Sequence, residues 1–265
     1  MRILFVGDVT GKPGRRLIAE CLPALRRSRH LDVIIANGEN AAGGRGLTAG
    51  VSQEMFAAGV DVITAGNHVW NNREAYELLD ADPRILRPAN YPPGVPGRGA
   101  AAITTAGGVR IGVINLQGRV FMQELDDPFR TARDLALQLR AELPTVVVDF
   151  HAEATSEKVA MGWYLDGRVS AVIGTHTHVQ TADERVLPDG TAYITDVGMT
   201  GPRDGIIGMA RAAVMERFLM QLPVRFEVAA GAVMLNAVLV TASGDGRATA
   251  IERIQVVTGD EPRAD

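Results

Sequence analysis

Asp8, Glu39, Asn40, Asn67, His68, His151, His176 and His178 are the residues of this chain best suited to chemistry, and each follows a short apolar run. Residues 3–6 lead into Gly7-Asp8, residues 33–36 into Asn37-Gly38-Glu39-Asn40, and residues 62–65 into Gly66-Asn67-His68. Residues 145–149 lead into Phe150-His151, and residues 171–173 into Gly174-Thr175-His176-Thr177-His178. Four of the five histidines fall in this set, His30 being the exception. Setting His68 aside, the candidate metal ligands are three imidazoles, two carboxylates and two amide oxygens, with no thiolate. That mixture suits iron, manganese, zinc, cobalt or nickel and disfavours a thiolate site or a calcium cage. Seven donors exceed what one zinc ion takes but suit two ions sharing a carboxylate, and Glu39 is the natural bridge. Two ions roughly 3.5–4 Å apart clamp the attacking and leaving oxygens of an in-line displacement at phosphorus.

Such residues meet only if the elements before them align. Short Val- and Ile-rich runs alternate with longer amphipathic stretches, which predicts βαβ units and an α/β fold. Strands are expected at 3–6, 33–36, 62–65, 111–114, 145–149, 171–173 and 192–195. Helices are expected at 13–27, 52–58, 72–80, 131–143, 156–165 and near 210–222. Pro13 suits a first helical turn, and Asn71 reads as a cap. In an open α/β sheet, residues just past the carboxyl ends of the strands converge on one crevice. Five strand ends would therefore deliver the whole donor set to one place.

The last stretch differs. Residues 224–228, 233–240 and 251–257 read as strands joined by Gly-containing turns, a mainly antiparallel segment on a second sheet or layer. The Pro- and Gly-rich stretch 82–108 reads as a long surface loop. One domain over 1–258 with a frayed tail at 259–265 is expected.

Bulk properties narrow the function classes. The single cysteine, Cys21, excludes an intramolecular disulfide and fits a reducing compartment; its apolar helical neighbours make it a small core residue. A net charge of −4 without basic runs argues against a dedicated nucleic-acid surface. No signal peptide or membrane-length apolar stretch is visible, so a cytoplasmic location is expected. Trp163 reads as core packing, and Trp70 as pocket lining or a helix start. Gly7 to Pro13 is too short between its glycines for a phosphate-binding loop, and Pro13 replaces the required Ser or Thr. The loop 41–46 adjoins the proposed site and reads as a structural turn.

Gly7-Asp8, Gly66-Asn67-His68 and the His176-Thr177-His178 block resemble the signature blocks of the calcineurin-like metallophosphoesterases. Asn37-Gly38-Glu39-Asn40, the run from His151 to Lys158 and the run from Asp196 to Pro202 resemble the bacterial YmdB-like branch of that superfamily. Two departures from the broad superfamily, Asp8-Val9-Thr10 in place of Asp-x-His and Gly38-Glu39 in place of Gly-Asp, are features of that branch. The resemblance implies a four-layer α/β/β/α sandwich and hydrolysis of 2′,3′-cyclic nucleotides to 3′-nucleotides. It implies two transition-metal ions, iron foremost and manganese as substitute, with a bridging hydroxide. By it, Asp8, Asn40 and His178 hold one ion, Asn67, His151 and His176 the other, and Glu39 bridges. His68 becomes the proton donor to the leaving oxygen, a role an imidazole can fill near neutral pH.

Two alternatives stay open. The same site could act on a phosphomonoester, a nucleotide or a phosphoprotein, since substrate choice lies in surrounding loops. Arg45, Arg98, Arg119, Arg130 and Arg203 are the loop arginines available for that choice. The chain could instead bind a nucleotide as a signalling protein without turning it over. Association into a homo-oligomer is compatible with the sequence, and no sequence feature sets the number of subunits.

Overall fold

The computed structural model describes residues 1–258, and the expected tail at 259–265 lies outside the described residues. Side-chain alternation sets the layering. In β1 (Arg2–Val6), Ile3 and Phe5 point into one apolar layer, and Leu4 and Val6 into another. A strand buried on both faces must lie inside a sheet covered on both sides.

The chain continues through β2 (Asp8–Val9), α1 (Gly11–Ser28), β3 (Val33–Asn37), α2 (Ala49–Ala57), β4 (Val62–Thr64), α3 (Glu74–Ala81) and β5 (Ile85–Leu86). Next come β6 (Ala100–Thr104), β7 (Arg110–Gln117), α4 (Pro128–Arg140), β8 (Val146–His151), α5 (Thr155–Tyr164) and β9 (Ala171–Thr175). The remainder comprises β10 (Arg185–Val186), β11 (Ala192–Ile194), β12 (Met199–Pro202), α6 (Arg211–Met220), β13 (Val233–Ala242) and β14 (Ala248–Thr258). One sheet has the order β2-β12-β13-β1-β3-β4-β5, with β14 on the other edge of β13. The second has the order β10-β11-β9-β8-β7-β6.

The sheets pack face to face through Ile3, Phe5, Val33, Ile35 and Val238 from one and Ile111, Val113, Val147 and Ile173 from the other. The opposite face of the first sheet packs on α1, α2 and α3 through Leu17, Ile18, Met55 and Leu79. The opposite face of the second packs on α4 and α5 through Ala132, Ala136, Leu139 and Met161. This is the four-layer α/β/β/α arrangement. The start of α4 shows how locally the sequence acts. Asp127 caps the helix by accepting from the backbone N–H groups of Phe129 and Arg130, and Pro128 occupies the first turn. Ala132, Ala136 and Leu139 then recur on its buried face. Among the described residues no helix is long and apolar enough to cross a membrane.

Several sequence expectations need correction. The closing strands do not form a second sheet, because β13 joins the first, pairing along one edge with β1 and β12 and along the other with β14. Leu235, Ala237 and Leu239 face the helices while Val238 and Val240 face the second sheet, so β13 needs cover on both sides. Residues 224–228 are irregular apart from one bridge between Met209 and Val228. The stretch 82–108 is not all surface loop: it contributes β5 and the edge strand β6, with Leu86 and Ile103 in the layer between the sheets. Trp163 is 51% exposed, with the Arg185 guanidinium 5.5 Å from its ring, so it is no core residue. Asn71 is not the cap of α3, because Arg73 holds that position and Asn71 donates its N–H to the His68 carbonyl. Trp70 packs edge-on against Tyr76 and Tyr91, while Cys21 is half-buried against the core.

Candidate metal centre

The expected donors do meet, but at the joint carboxyl end of two sheets rather than one. Asp8, Glu39, Asn40 and Asn67 come from the ends of β1, β3 and β4 in the first sheet. His151 is the last residue of β8, and His176 and His178 follow β9, both in the second sheet.

Donor atoms of Glu39, His151 and His176 lie within 4.8 Å of one another. The Nε2 atom of His151 is 3.1 Å from Glu39 Oε1, 2.9 Å from Asn67 Oδ1 and 3.0 Å from His176 Nδ1. One ring nitrogen cannot satisfy three electron-rich neighbours at once, so the cluster is short of positive charge. Asp8 Oδ2 accepts from the His176 backbone N–H at 3.1 Å, whereas Asp8 Oδ1 is buried without a hydrogen-bond partner. Asn40 donates through Nδ2 to the Gly44 carbonyl at 3.0 Å, which leaves Asn40 Oδ1 buried and unpartnered. His178 Nδ1 is 3.0 Å from the Ile207 carbonyl, so its Nε2 is free of that contact. Orphaned buried oxygens cost free energy unless something satisfies them. Orphaned oxygens beside imidazoles are a donor set that fits cations.

Electrostatics agree. Burial pushes the Asp8 carboxyl up to about 7, only partly offset by His178 and His151. Burial also drives the His151 imidazole down, but the charge of Glu39, its hydrogen bond, and Asp8 and Asp149 outweigh this and hold it at about 9. Burial raises the Glu39 carboxyl as well, yet attraction and hydrogen bonding to His151 bring it down to about 2. Burial and the neighbouring His151 charge lower His176 to about 3. In effect a proton on His151 neutralises the cluster, a task a cation can take over.

Local backbone makes this crowding possible. A Cβ on Gly66 would sit 2.3 Å from His151 Cδ2 and 2.4 Å from Glu39 Oε2, so only glycine lets the end of β4 approach. His176 and His178 have φ of 100° and 67°, in the left-handed region that side chains avoid. Asp196 holds the turn between them: its Oδ2 accepts from the Thr177 N–H at 3.0 Å and from Thr177 Oγ1 at 2.7 Å. Lys158 Nζ donates to the same oxygen at 2.7 Å. On the far side of His151, Nδ1 lies 2.9 Å from Thr175 Oγ1, which donates to Asp149 at 2.7 Å. Such contacts orient imidazoles for metals.

Glu39, Asn40, His68, His176 and His178 open onto a cavity of about 620 Å³. His68 donates its backbone N–H to Glu39 Oε2 at 3.1 Å, and burial together with the Arg45 and His151 charges lowers its imidazole despite Glu39. Of the five loop arginines only Arg45 lines the cavity. Arg119 and Arg130 lie by Asp127, at 4.0 and 3.5 Å, Arg98 bridges to Leu86, and the Arg203 N–H donates to the Ala232 carbonyl. The cavity wall also includes Met209, Val214, Arg217 and Phe218, none of which stands near a strand end in sequence. Glu153, 3.0 Å from His176 Nε2, was likewise not singled out by spacing.

A family model described as YmdB-like protein matches residues 4–254. The chain is 52% identical over 257 residues to the 2′,3′-cyclic-nucleotide 2′-phosphodiesterase of Bacillus subtilis (strain 168), covering 97% of each. It is similar to a crystal structure of a hypothetical protein from Thermus thermophilus, with 45% identity, a TM-score of 0.89, and 97% and 99% of the two chains covered. It is also similar to a phosphatase from Mycoplasma pneumoniae, with 34% identity, a TM-score of 0.92, and 99% and 95% covered. A match over nearly the whole chain, on a fold whose strand ends gather these donors, places the protein in the YmdB-like family of hydrolases.

Proposed function

We propose that this protein is a metal-dependent phosphodiesterase that hydrolyses 2′,3′-cyclic nucleotides to 3′-nucleotides. The observation that carries the reading is the meeting of seven donors from two sheets, with Asp8 Oδ1 and Asn40 Oδ1 orphaned, beneath a cavity of about 620 Å³. The name of the Bacillus subtilis relative supports the substrate class.

Asp8, Asn40 and His178 would hold one transition-metal ion, and Asn67, His151 and His176 a second, with Glu39 shared; iron is the first candidate and manganese the substitute. When bound, such a pair would supply charge neutralisation at the phosphoryl oxygens and activation of water for attack at neutral pH. His68 stands in the cavity lining next to Asn67, where its ring can hand a proton to the departing 2′-oxygen as the P–O2′ bond breaks. Glu39 anchors the His68 backbone and so sets where that ring begins. Lys158, Asp196 and Thr175 keep the imidazoles aimed, so little reorganisation remains when substrate arrives.

The test is elemental analysis of the purified protein together with hydrolysis of 2′,3′-cyclic AMP. Two transition-metal ions per chain with 3′-AMP as product would support the reading. Two ions without that turnover would shift the substrate to another phosphoester, the class suggested by the Mycoplasma pneumoniae phosphatase. A protein that neither carries nor takes up metal would overturn it.

A further inference from the structure

A second depression, of about 520 Å³, adjoins the metal cavity and is lined by Arg45, Arg217, Arg225, Pro223, Val224 and Phe226. Arg45, Arg217 and Phe226 line both spaces and so form their common wall. The outer space has three guanidinium groups and no carboxylate in its lining. Among the described residues none of the three forms an ion pair; Arg217 only reaches the Gln221 carbonyl, at 3.5 Å. In a chain of net charge −4, three unneutralised arginines around one depression are a local excess of positive charge. The wall leading inward is apolar, formed by Ile207, Met209, Val214 and Phe218.

These features order a ligand from inside to outside. The reacting phosphate belongs at the donor cluster, and a base fits the apolar wall of α6 and the 206–209 segment. A planar guanidinium fork recognises a phosphate, which is what the outer depression offers. Resting on the cyclic-nucleotide reading, we infer that Arg45, Arg217 and Arg225 bind a second phosphate, one ribose away from the cyclic phosphate. The favoured substrate then carries a phosphate on its 5′ side. That group has two sources with one chemistry, the 5′-monophosphate of a free nucleotide and the last phosphodiester of an RNA strand ending in a cyclic phosphate. A bare nucleoside 2′,3′-cyclic phosphate leaves the depression unused.

The experiment compares kcat/KM of the metal-loaded protein for adenosine 2′,3′-cyclic phosphate, its 5′-phosphorylated form and the ApA dinucleotide ending in a 2′,3′-cyclic phosphate. One or both phosphate-bearing substrates should be favoured about tenfold or more, as for a charge-assisted contact. Preference for the monophosphate identifies a free nucleotide as the source; preference for the dinucleotide identifies an RNA end. In Arg225→Ala and Arg217→Ala, both on exposed positions, that ratio should fall toward one. A ratio near one in the unmodified protein, or one unmoved by either substitution, would overturn the inference while leaving cyclic phosphodiesterase activity in place. Should none of the three be cleaved, the activity reading fails and calorimetry decides the subsite separately. Adenosine 3′,5′-bisphosphate binding about tenfold tighter than 3′-AMP, lost in Arg225→Ala, would support it, and equal binding would refute it.

Discussion

Lys158 and Asp196 form an ion pair of 2.7 Å, Nζ to Oδ2, with side chains 1% and 0% exposed. The same carboxylate receives the N–H and hydroxyl of Thr177 and, on its other oxygen, the Gly198 N–H at 2.8 Å. A buried charge pair is no guarantee of stability, but removing one partner strands the other. Lys158→Met should therefore destabilise the fold by about 3–5 kcal/mol and loosen the turn carrying His176 and His178. Urea unfolding and metal content check this. A variant of unchanged stability that keeps its metal would contradict the positioning role.

His68→Ala should retain its metal, because the hydrogen bond that ties His68 to Glu39 runs through its backbone N–H, which alanine keeps. Turnover should drop by roughly a hundredfold or more, the range for a lost general acid. Single-turnover kinetics beside elemental analysis separate the two effects. Full activity would remove His68 from proton transfer.

Glu39→Ala should lose metal rather than only rate, since Glu39 reaches both His151 and the backbone of His68. Inductively coupled plasma analysis after dialysis gives the readout. A variant holding its full complement would show that Glu39 is not shared between ions.

Thr175→Val removes the hydroxyl linking His151 Nδ1 to Asp149 while keeping the side chain's shape. Metal affinity should weaken about 10–100-fold, as for other lost contacts behind a ligand. Competition with a chelator of known affinity measures it; equal affinity in both proteins would mean the ring is held by packing alone.

The site was more legible than the fold around it. Asp8, Glu39, Asn67, His151 and His176 stood out because carboxylate, amide and imidazole side chains recur directly after strand-like runs, a regularity visible in linear order. The wall contributed by α6 was invisible, because Arg217 and Phe218 look like any exposed helix residues until the helix is seen over the cavity. Lys158 gave a faint signal, one of two lysines in the chain and on a predicted helix, but helical spacing does not distinguish a buried amine from a solvated one. The short pairings β2, β5, β10 and β12 escaped because two to four residues carry no periodicity. The placement of β13 escaped for another reason: an apolar run announces a buried strand but not which sheet will bury it.

That placement sets the order in which the molecule can be assembled. β1 pairs along one edge with β13, residue 2 opposite residue 241, and the Met1 amine donates to the Ala242 carbonyl. A nascent chain therefore emerges with Ile3, Leu4 and Phe5 lacking their neighbour until most of the polypeptide has been made. Until then β1 is an open edge of the kind that invites mispairing and aggregation. Contacts of such long sequence separation fold slowly. Losing the last two strands would remove one side of the first sheet and uncover the edge of β1, so a chain ending before β13 should not fold stably. The Gly7 N–H donates to the Asn236 carbonyl of β13, so docking of the β13–β14 hairpin also fixes the backbone immediately before Asp8.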